Sequence, residues 1–114
     1  METQSDWEDV DRAFCRLDQY GVLRATLVAQ RKLANLIRND AQLADARPRV
    51  SLATLTLRRR EMGLLVAIAW HDDGQYRVYF MDRDLNCSDQ AAVGEDRVLE
   101  VVRVYFAKLR REEQ

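Results

Sequence analysis

The sequence predicts a single α+β domain over residues 1–114, with two N-terminal helices, a three-stranded antiparallel meander and a C-terminal helix (α-α-β-β-β-α). Apolar residues recur at helical spacing through the first forty positions and again after residue 95. Between these segments lie short apolar runs rich in Thr, Val and aromatic residues, which are typical of strands. The chain shows no internal repeat, low-complexity stretch or linker.

The first predicted helix begins at SDWE, Ser5 to Glu8, which matches a capping box. Its apolar face then follows helical spacing at Trp7, Val10, Phe14 and Leu17. Gly21 is expected to end or bend this helix.

A second predicted helix runs from about Val22 to Asp40, since Pro48 pushes Arg47 out of helical geometry. Its apolar arc is wide and comprises Val22, Leu23, Leu27, Ala29, Leu33, Leu36 and Ile37. So wide an arc implies contact with more than one neighbour.

Three strands are predicted next, at Arg49–Leu57, Gly63–His71 and Gln75–Asp82. Residues 83–94 read as a polar loop with one helical turn at SDQAA. Residues 95–112 predict a helix, because its apolar residues share one face and the basic KLRR complements a helix C-terminus. The valines of this segment would also suit a strand, so its full helicity stays open.

Charge and composition exclude several classes of protein. The chain has 18 Lys and Arg against 19 Asp and Glu, so its net charge of −1 gives no general attraction to nucleic acid or to anionic membranes. No apolar run approaches the roughly 18 residues of a membrane span. The acidic N-terminus lacks the pattern of a signal peptide, and Cys15 and Cys87 form no motif. We therefore expect a cytoplasmic protein that does not contact membranes.

The stretch AWHDDGQYRVYF holds the chain's only histidine, His71, beside Asp72 and Asp73. Asp73-Gly74 between two apolar runs predicts a two-residue hairpin turn, which pairs His71 with Tyr76 and Trp70 with Arg77. A zinc site needs three or four convergent ligands, and the chain offers no second histidine. The stretch is interpreted as a turn.

Other chemical motifs are incomplete. Asp82, Asp84 and Asn86 match the start of a calcium loop, but Cys87 stands where its glycine should be and Val93 where its glutamate should be. The chain has no nucleophile elbow and no glycine-rich nucleotide loop. We expect no catalytic, metal or cofactor site.

The predicted hairpin register places apolar side chains on both faces of the sheet. One face presents Leu65, Ala67, Ala69, Val78 and Phe80, and its small alanines would let a helix approach closely. The other face, extended by Val104 of the last helix, predicts a protein interface or homodimer contact because it combines Trp, Tyr, Met and Arg. This predicted interface consists of Val66, Ile68, Trp70, Arg77, Tyr79, Met81 and Val104. Whether the first helix, a second copy or a foreign partner covers it stays open.

Two clusters of arginine form a possible patch for an acidic partner. Arg24, Arg31 and Arg38 recur every seven residues on the second helix, and Arg58, Arg59 and Arg60 lie in the first hairpin turn. Pairing with the acidic first helix is the simpler interpretation of the helical set.

The resulting hypothesis is a small cytoplasmic binding or adaptor protein without enzymatic activity or cofactor, homodimeric and acting through protein contacts. A bacterial inhibitor or immunity-type protein is one form of it. A nucleic-acid-binding module using the two arginine clusters is the less favoured alternative. The second alternative is an enzyme or small-ligand binder with a pocket near Trp70 and Tyr79.

Overall fold

The computed structural model describes residues 2–19 and 24–114, with side chains from residue 6 onward. Its elements are, in order, α1 (Glu2–Gln19), α2 (Arg24–Arg38), a 3-10 turn (Ala41–Leu43), β1 (Arg47–Ser51), β2 (Thr54–Arg58), β3 (Leu65–Trp70), β4 (Tyr76–Met81), β5 (Cys87–Val93) and α3 (Val98–Glu112). Within the described residues, no helix is both long and apolar enough to cross a bilayer.

The five strands form one antiparallel sheet in the order β1-β2-β3-β4-β5. The α+β class is confirmed, but the expectation of three strands is wrong. The predicted strand Arg49–Leu57 is two strands, because the chain reverses at Leu52, whose φ is +55°. The expected loop at residues 83–94 contains β5 instead.

The start of α1 differs from the prediction. Because α1 begins at Glu2, the capping-box start at Ser5 is wrong. The expected end at Gly21 and the first residues of the second helix, Val22 and Leu23, lie outside the described residues. The helical prediction for the last segment is confirmed over Val98–Glu112, and residues 95–97 form a turn before it.

The loop of the β3–β4 hairpin begins one residue earlier than predicted. Its loop has three residues, Asp72, Asp73 and Gly74, because the amide of His71 donates to the carbonyl of Gln75. Gly74 adopts the left-handed conformation (φ +81°) typical of the last residue of such a loop. Trp70 therefore pairs with Tyr76, not with Arg77.

This shift of one residue places each side chain of β4 on the opposite face of the sheet from the predicted one, because side chains alternate along a strand. All three helices pack on the face that carries Pro48, Val50, Leu55, Leu57, Val66, Ile68, Trp70, Tyr76, Val78 and Phe80. The core lies between this face and the apolar residues of the helices, among them Phe14, Leu33 and Phe106. α1 lies against β1, while α2 packs on β3 and α3 on β3, β4 and β5.

Two side chains tie α2 to the sheet. Gln30 is fully buried, and its amide nitrogen donates to the carbonyls of Ala53 (2.8 Å) and Ile68 (2.9 Å). The hydroxyl of Tyr76 donates to the carbonyl of Ala29 at 2.6 Å, and burial raises the pKa of Tyr76 to about 12. These contacts hold α2 to one side of the sheet.

Candidate functional site

The second face of the sheet, called the open face below, faces away from the three helices. The buried side chains of the helices cluster with the first face, and no residue of the open face belongs to that cluster. Its side chains form three rows across the five strands: Arg47, Arg58, Leu65, Met81 and Cys87; Arg49, Thr56, Ala67, Tyr79 and Gln90; and Ser51, Thr54, Ala69, Arg77 and Ala92.

The centre of the open face is apolar, and its side chains protrude less than those around it. Leu65 and Ala67 on β3 are only 4 % and 5 % exposed, because longer side chains on both neighbouring strands shield them. Tyr79 and Met81 are half-buried and stand beside this strip on β4. Leu65, Ala67 and Ala69 thus form a shallow apolar strip, also called the apolar floor, which is bordered by longer side chains.

The open face carries four arginines and no acidic residue. Two of them pair with carboxylates that lie off the face. Nε of Arg47 lies 3.3 Å from Asp6 of α1, and Nη2 of Arg77 lies 2.7 Å from Asp73 in the hairpin loop. The hydrogen bond from Arg77 is the main reason that the pKa of Asp73 lies below its usual range.

The other two arginines of the face, Arg49 and Arg58, form no salt bridge with any carboxylate among the described side chains. Arg58 donates through Nη1 to the carbonyl of Glu61 (2.8 Å), while its buried Nε has no hydrogen-bond partner. Burial, and then the charge of Arg49, lower the pKa of the Arg58 guanidinium. Arg47, Arg49 and Arg58 thus lie together at the β1–β2 side of the face, with Asp6 and Glu61 beside them.

The predicted interface does not form one surface. Val66 and Ile68 are fully buried under the helices, and Trp70 packs edge-on against Tyr76 with ring centroids 4.9 Å apart. Arg77, Tyr79 and Met81 lie on the open face, and Val104 is exposed on α3. The grouping of these residues on one face is wrong because the predicted hairpin register was shifted by one residue.

A pocket shared by Trp70 and Tyr79 does not form, because the two side chains lie on opposite faces. An open depression of 740 Å³ lies instead at the end of the sheet where the β2–β3 turn meets the end of α3. It is lined by Arg60, Met62, Gly63, Leu64, Asp82, Arg83, Asp84, Glu112, Glu113 and Gln114.

The turn interpretation of the histidine stretch is confirmed. His71 is exposed at the end of β3, and Asp73 accepts a hydrogen bond from the amide of Gln75 (3.0 Å) within the loop. Asp73 thus stabilises the hairpin through this bond and its pair with Arg77.

The segment that resembled a calcium loop is the β4–β5 turn. One carboxylate oxygen of Asp82 accepts from the amides of Asp84 and Asn86, both at 2.9 Å. These bonds, led by that from Asn86, lower the pKa of Asp82. In the part of the chain that the structure describes, no group of three or more His, Cys, Asp or Glu side chains could hold a metal ion.

The two arginine clusters do not converge on one patch. On α2, Arg38 lies 3.3 Å from Asp11 and the guanidinium of Arg31 lies 3.8 Å from the sulfur of Cys15, so both contact α1. Pairing with the acidic first helix is thereby confirmed for Arg38, while Arg24 is exposed. In the second cluster, Arg58 lies on the open face, Arg59 pairs with Asp45 at 3.2 Å and Arg60 is exposed.

Sequence reasoning missed Arg47 and Arg49 as members of the same surface as Tyr79. The signal was present, because Arg47 and Arg49 stand two residues apart and side chains alternate along a strand. It could be used only once the reversal at Leu52 was known, since the single predicted strand began at Arg49 and left out Arg47.

Comparisons with protein-family models, with curated proteins and with solved structures find no match for this chain.

Proposed function

We propose that the protein is a non-enzymatic binding or adaptor protein that contacts another protein through the open face of its sheet. The observation that carries this proposal is the apolar strip of Leu65, Ala67 and Ala69, which runs through the middle of a face to which the helices contribute no buried side chain. An apolar centre with a more polar border is the usual composition of a protein interface.

The composition of the border supports a protein as the partner. Tyr79 and Met81 flank the strip on β4, and Arg58 and Arg77 flank it on β2 and β4. Tyrosine, methionine and arginine are enriched at protein interfaces, and tyrosine and arginine are frequent among the residues that contribute most binding energy.

A second copy of the chain is a poor partner for this face. In a symmetric pair the same patch meets itself, so arginines would approach arginines with no carboxylate on the face to separate them. We therefore propose a different protein as the main partner, such as the target of an inhibitor or immunity-type protein.

The homodimer remains a second candidate, with its contact at β5 instead of the sheet faces. β5 is an edge strand whose residues Cys87–Gln90 are exposed, whereas α1 packs against the opposite edge strand, β1. Two β5 strands can pair across a two-fold axis and extend the sheet. Light scattering tests this directly, and a wild-type monomer at micromolar concentration would exclude it.

Site-specific photo-crosslinking in the native host tests the open face. A photoreactive phenylalanine analogue is placed at Tyr79, and the matched control carries it at Val104, which is exposed on the helical side. We expect a discrete crosslinked protein from position 79 that is absent at position 104. Equal crosslinking from both positions, or none from position 79, would refute the proposal.

A further inference from the structure

The charges on the open face indicate which kind of protein it binds. The whole chain carries a net charge of −1, yet the strand positions of this face contain four arginines and no acid. On the helical side, by contrast, Arg103 pairs with Asp40 and Arg110 with Asp45. The open face thus presents arginines with no acid among its strand positions, although arginines without a salt bridge, such as Arg60, Arg83 and Arg111, also lie elsewhere among the described residues.

On the open face, Arg49 and Arg58 are the two arginines with capacity for an added anion. They lie on neighbouring strands, at diagonal positions, and each lacks a salt bridge among the described carboxylates. The buried Nε of Arg58 is a donor without an acceptor.

The apolar floor has the dimensions of a helix-binding site. Strands lie ~4.8 Å apart and a helix with its side chains is ~10 Å wide, so a helix along β3 covers the space from β2 to β4. The four steps from Leu65 to Ala69 span ~13 Å, which equals about nine residues of helix. Leu65 and Ala67 are shielded by the side chains beside them, so a helix on this face rests on the half-buried Ala69, Tyr79 and Met81.

We propose that the open face binds an acidic amphipathic α-helix of the partner protein, which lies along β3 with its apolar side on Ala69, Tyr79 and Met81 and its carboxylates on Arg49 and Arg58. This inference rests on the proposed function and specifies the chemistry of the partner. Charge complementarity selects the acidic helix over a second copy of this chain, whose open face is equally basic.

Single-stranded nucleic acid is the other polyanion that an arginine-bearing sheet could bind, with bases stacked on aromatic side chains. The open face offers Tyr79 as its only aromatic residue, and its centre is aliphatic. These features favour an apolar helix surface over a series of stacked bases.

Selection from a random peptide library on the folded protein tests the inference. The probes are displayed peptides of about 16 residues, enough for ~24 Å of helix. We expect the peptides that bind the wild type to contain Asp or Glu together with apolar residues at helical spacing, and to become helical by circular dichroism when bound. Enrichment of basic or extended peptides, or of none, would overturn the acidic helix.

Charge reversal identifies the arginines that take part. For the selected peptides, Arg49→Glu combined with Arg58→Glu should weaken binding at least about tenfold, whereas the control Arg60→Glu, in the exposed β2–β3 turn, should change it less than about twofold. Circular dichroism and the urea midpoint verify that each variant is folded, and Arg49→Gln with Arg58→Gln is the milder pair if the reversal unfolds the chain. Equal effects of the two sets of variants would overturn the assignment.

An oligouridylate of about 20 nucleotides is measured in parallel. Binding of this RNA that is tighter than that of the peptides and is lost in the double arginine variant would replace the acidic helix by nucleic acid. The crosslinking experiment at Tyr79 distinguishes a failure of the proposed function from a failure of the acidic-helix proposal. A protein crosslinked there by a basic or extended segment would leave the proposed function standing and refute only the acidic helix.

Discussion

At the scale of single residues, the structure shows two positions where one side chain, or its absence, determines local geometry. Gly74 closes the β3–β4 hairpin at a φ of +81°, and an added Cβ there would meet nothing within 4 Å. The requirement at this position is conformational and not steric. Gln30 is the second such position, since it is the one buried polar residue among the described core side chains.

Replacing Gly74 with Ala should therefore destabilise the protein by about 1–2 kcal/mol, the usual cost of the left-handed conformation. Gly74→Val should cost more, because a β-branched residue resists positive φ, and Gly74→Asn should be tolerated. Urea unfolding provides the measurement. His71→Ala at the exposed end of β3 is the control and should cost less than about 1 kcal/mol. Equal midpoints for wild type and Gly74→Val would contradict the assigned turn.

Replacing Gln30 with Leu should cost about 1–3 kcal/mol, since the carbonyls of Ala53 and Ile68 lose a donor inside the core. The oxygen of the Gln30 amide has no partner, so removing it offsets part of this loss. Unfolding in urea is compared with that of Gln90→Leu, which alters an exposed position of β5 by at most about 0.5 kcal/mol. A gain in stability for Gln30→Leu would show that the two hydrogen bonds contribute nothing net.

At the scale of elements, the sequence predicted helices better than strands. The faces of α2 and α3 follow from their own periodicity, and Leu33, Ile37, Val102 and Phe106 are buried as that pattern indicates. The sequence CSDQAAV of β5 has little strand propensity, so its conformation depends on pairing with β4. The reversal at Leu52 has no turn signal in the sequence, because leucine rarely adopts positive φ.

The candidate surface was predicted incorrectly because a second turn, the one between β3 and β4, was assigned the wrong length. Asp73-Gly74 fits both a two-residue and a three-residue loop, and only the pairing of the strands distinguishes them. The choice of the shorter loop moved Tyr79 and Met81 onto the face of Trp70. The residues of β3 and β4 were recognised as strands, but an error of one residue in their register assigned the side chains of β4 to the wrong face.

The attachment of α3 to the segment before β1 gives a pH prediction. Asp45, 44 % exposed, accepts two hydrogen bonds from Arg110 (3.0 and 2.7 Å), and these are the main reason that its pKa lies below the usual range. A lowered pKa in the folded state stabilises the protein above the unfolded pKa of about 3.9, and this stability is lost as pH falls through the folded value.

Asp45→Asn should thus lower the free energy of unfolding at pH 7, by no more than about 1 kcal/mol because the pair is screened by solvent. The difference from the wild type should shrink as the pH falls below about 4. Urea midpoints measured between pH 7 and pH 2 test this, and a difference that does not vary with pH would contradict the role of the ionised carboxylate. Arg110→Gln should remove most of the effect of Asp45→Asn, as in a double-mutant cycle.

At the scale of the whole molecule, the two faces of the sheet separate the core from the proposed binding surface. Alternate residues of each strand enter the core or the open face, so neighbours in sequence serve different purposes. Ile68 is fully buried, while Ala69 beside it is half-buried on the open face.

Ile68→Ala should therefore cost about 2–5 kcal/mol of stability, as for other truncations in a packed core. Ala69→Ser, one residue away, should change stability by no more than about 0.5 kcal/mol. Thermal or urea unfolding of the two variants makes the comparison. Similar costs at both positions would show that a further layer covers the open face.

The order of the strands along the sheet also has a consequence for synthesis of the chain. Because β1 to β5 are neighbours in space as they are in sequence, each strand can pair with the one made just before it. The apolar side of β3 and β4, including Val66, Val78 and Phe80, is covered by α3, which the ribosome makes after all the strands. A nascent chain halted before Val98 exposes this surface, so premature termination in the last element produces an aggregation-prone fragment and not a smaller folded domain.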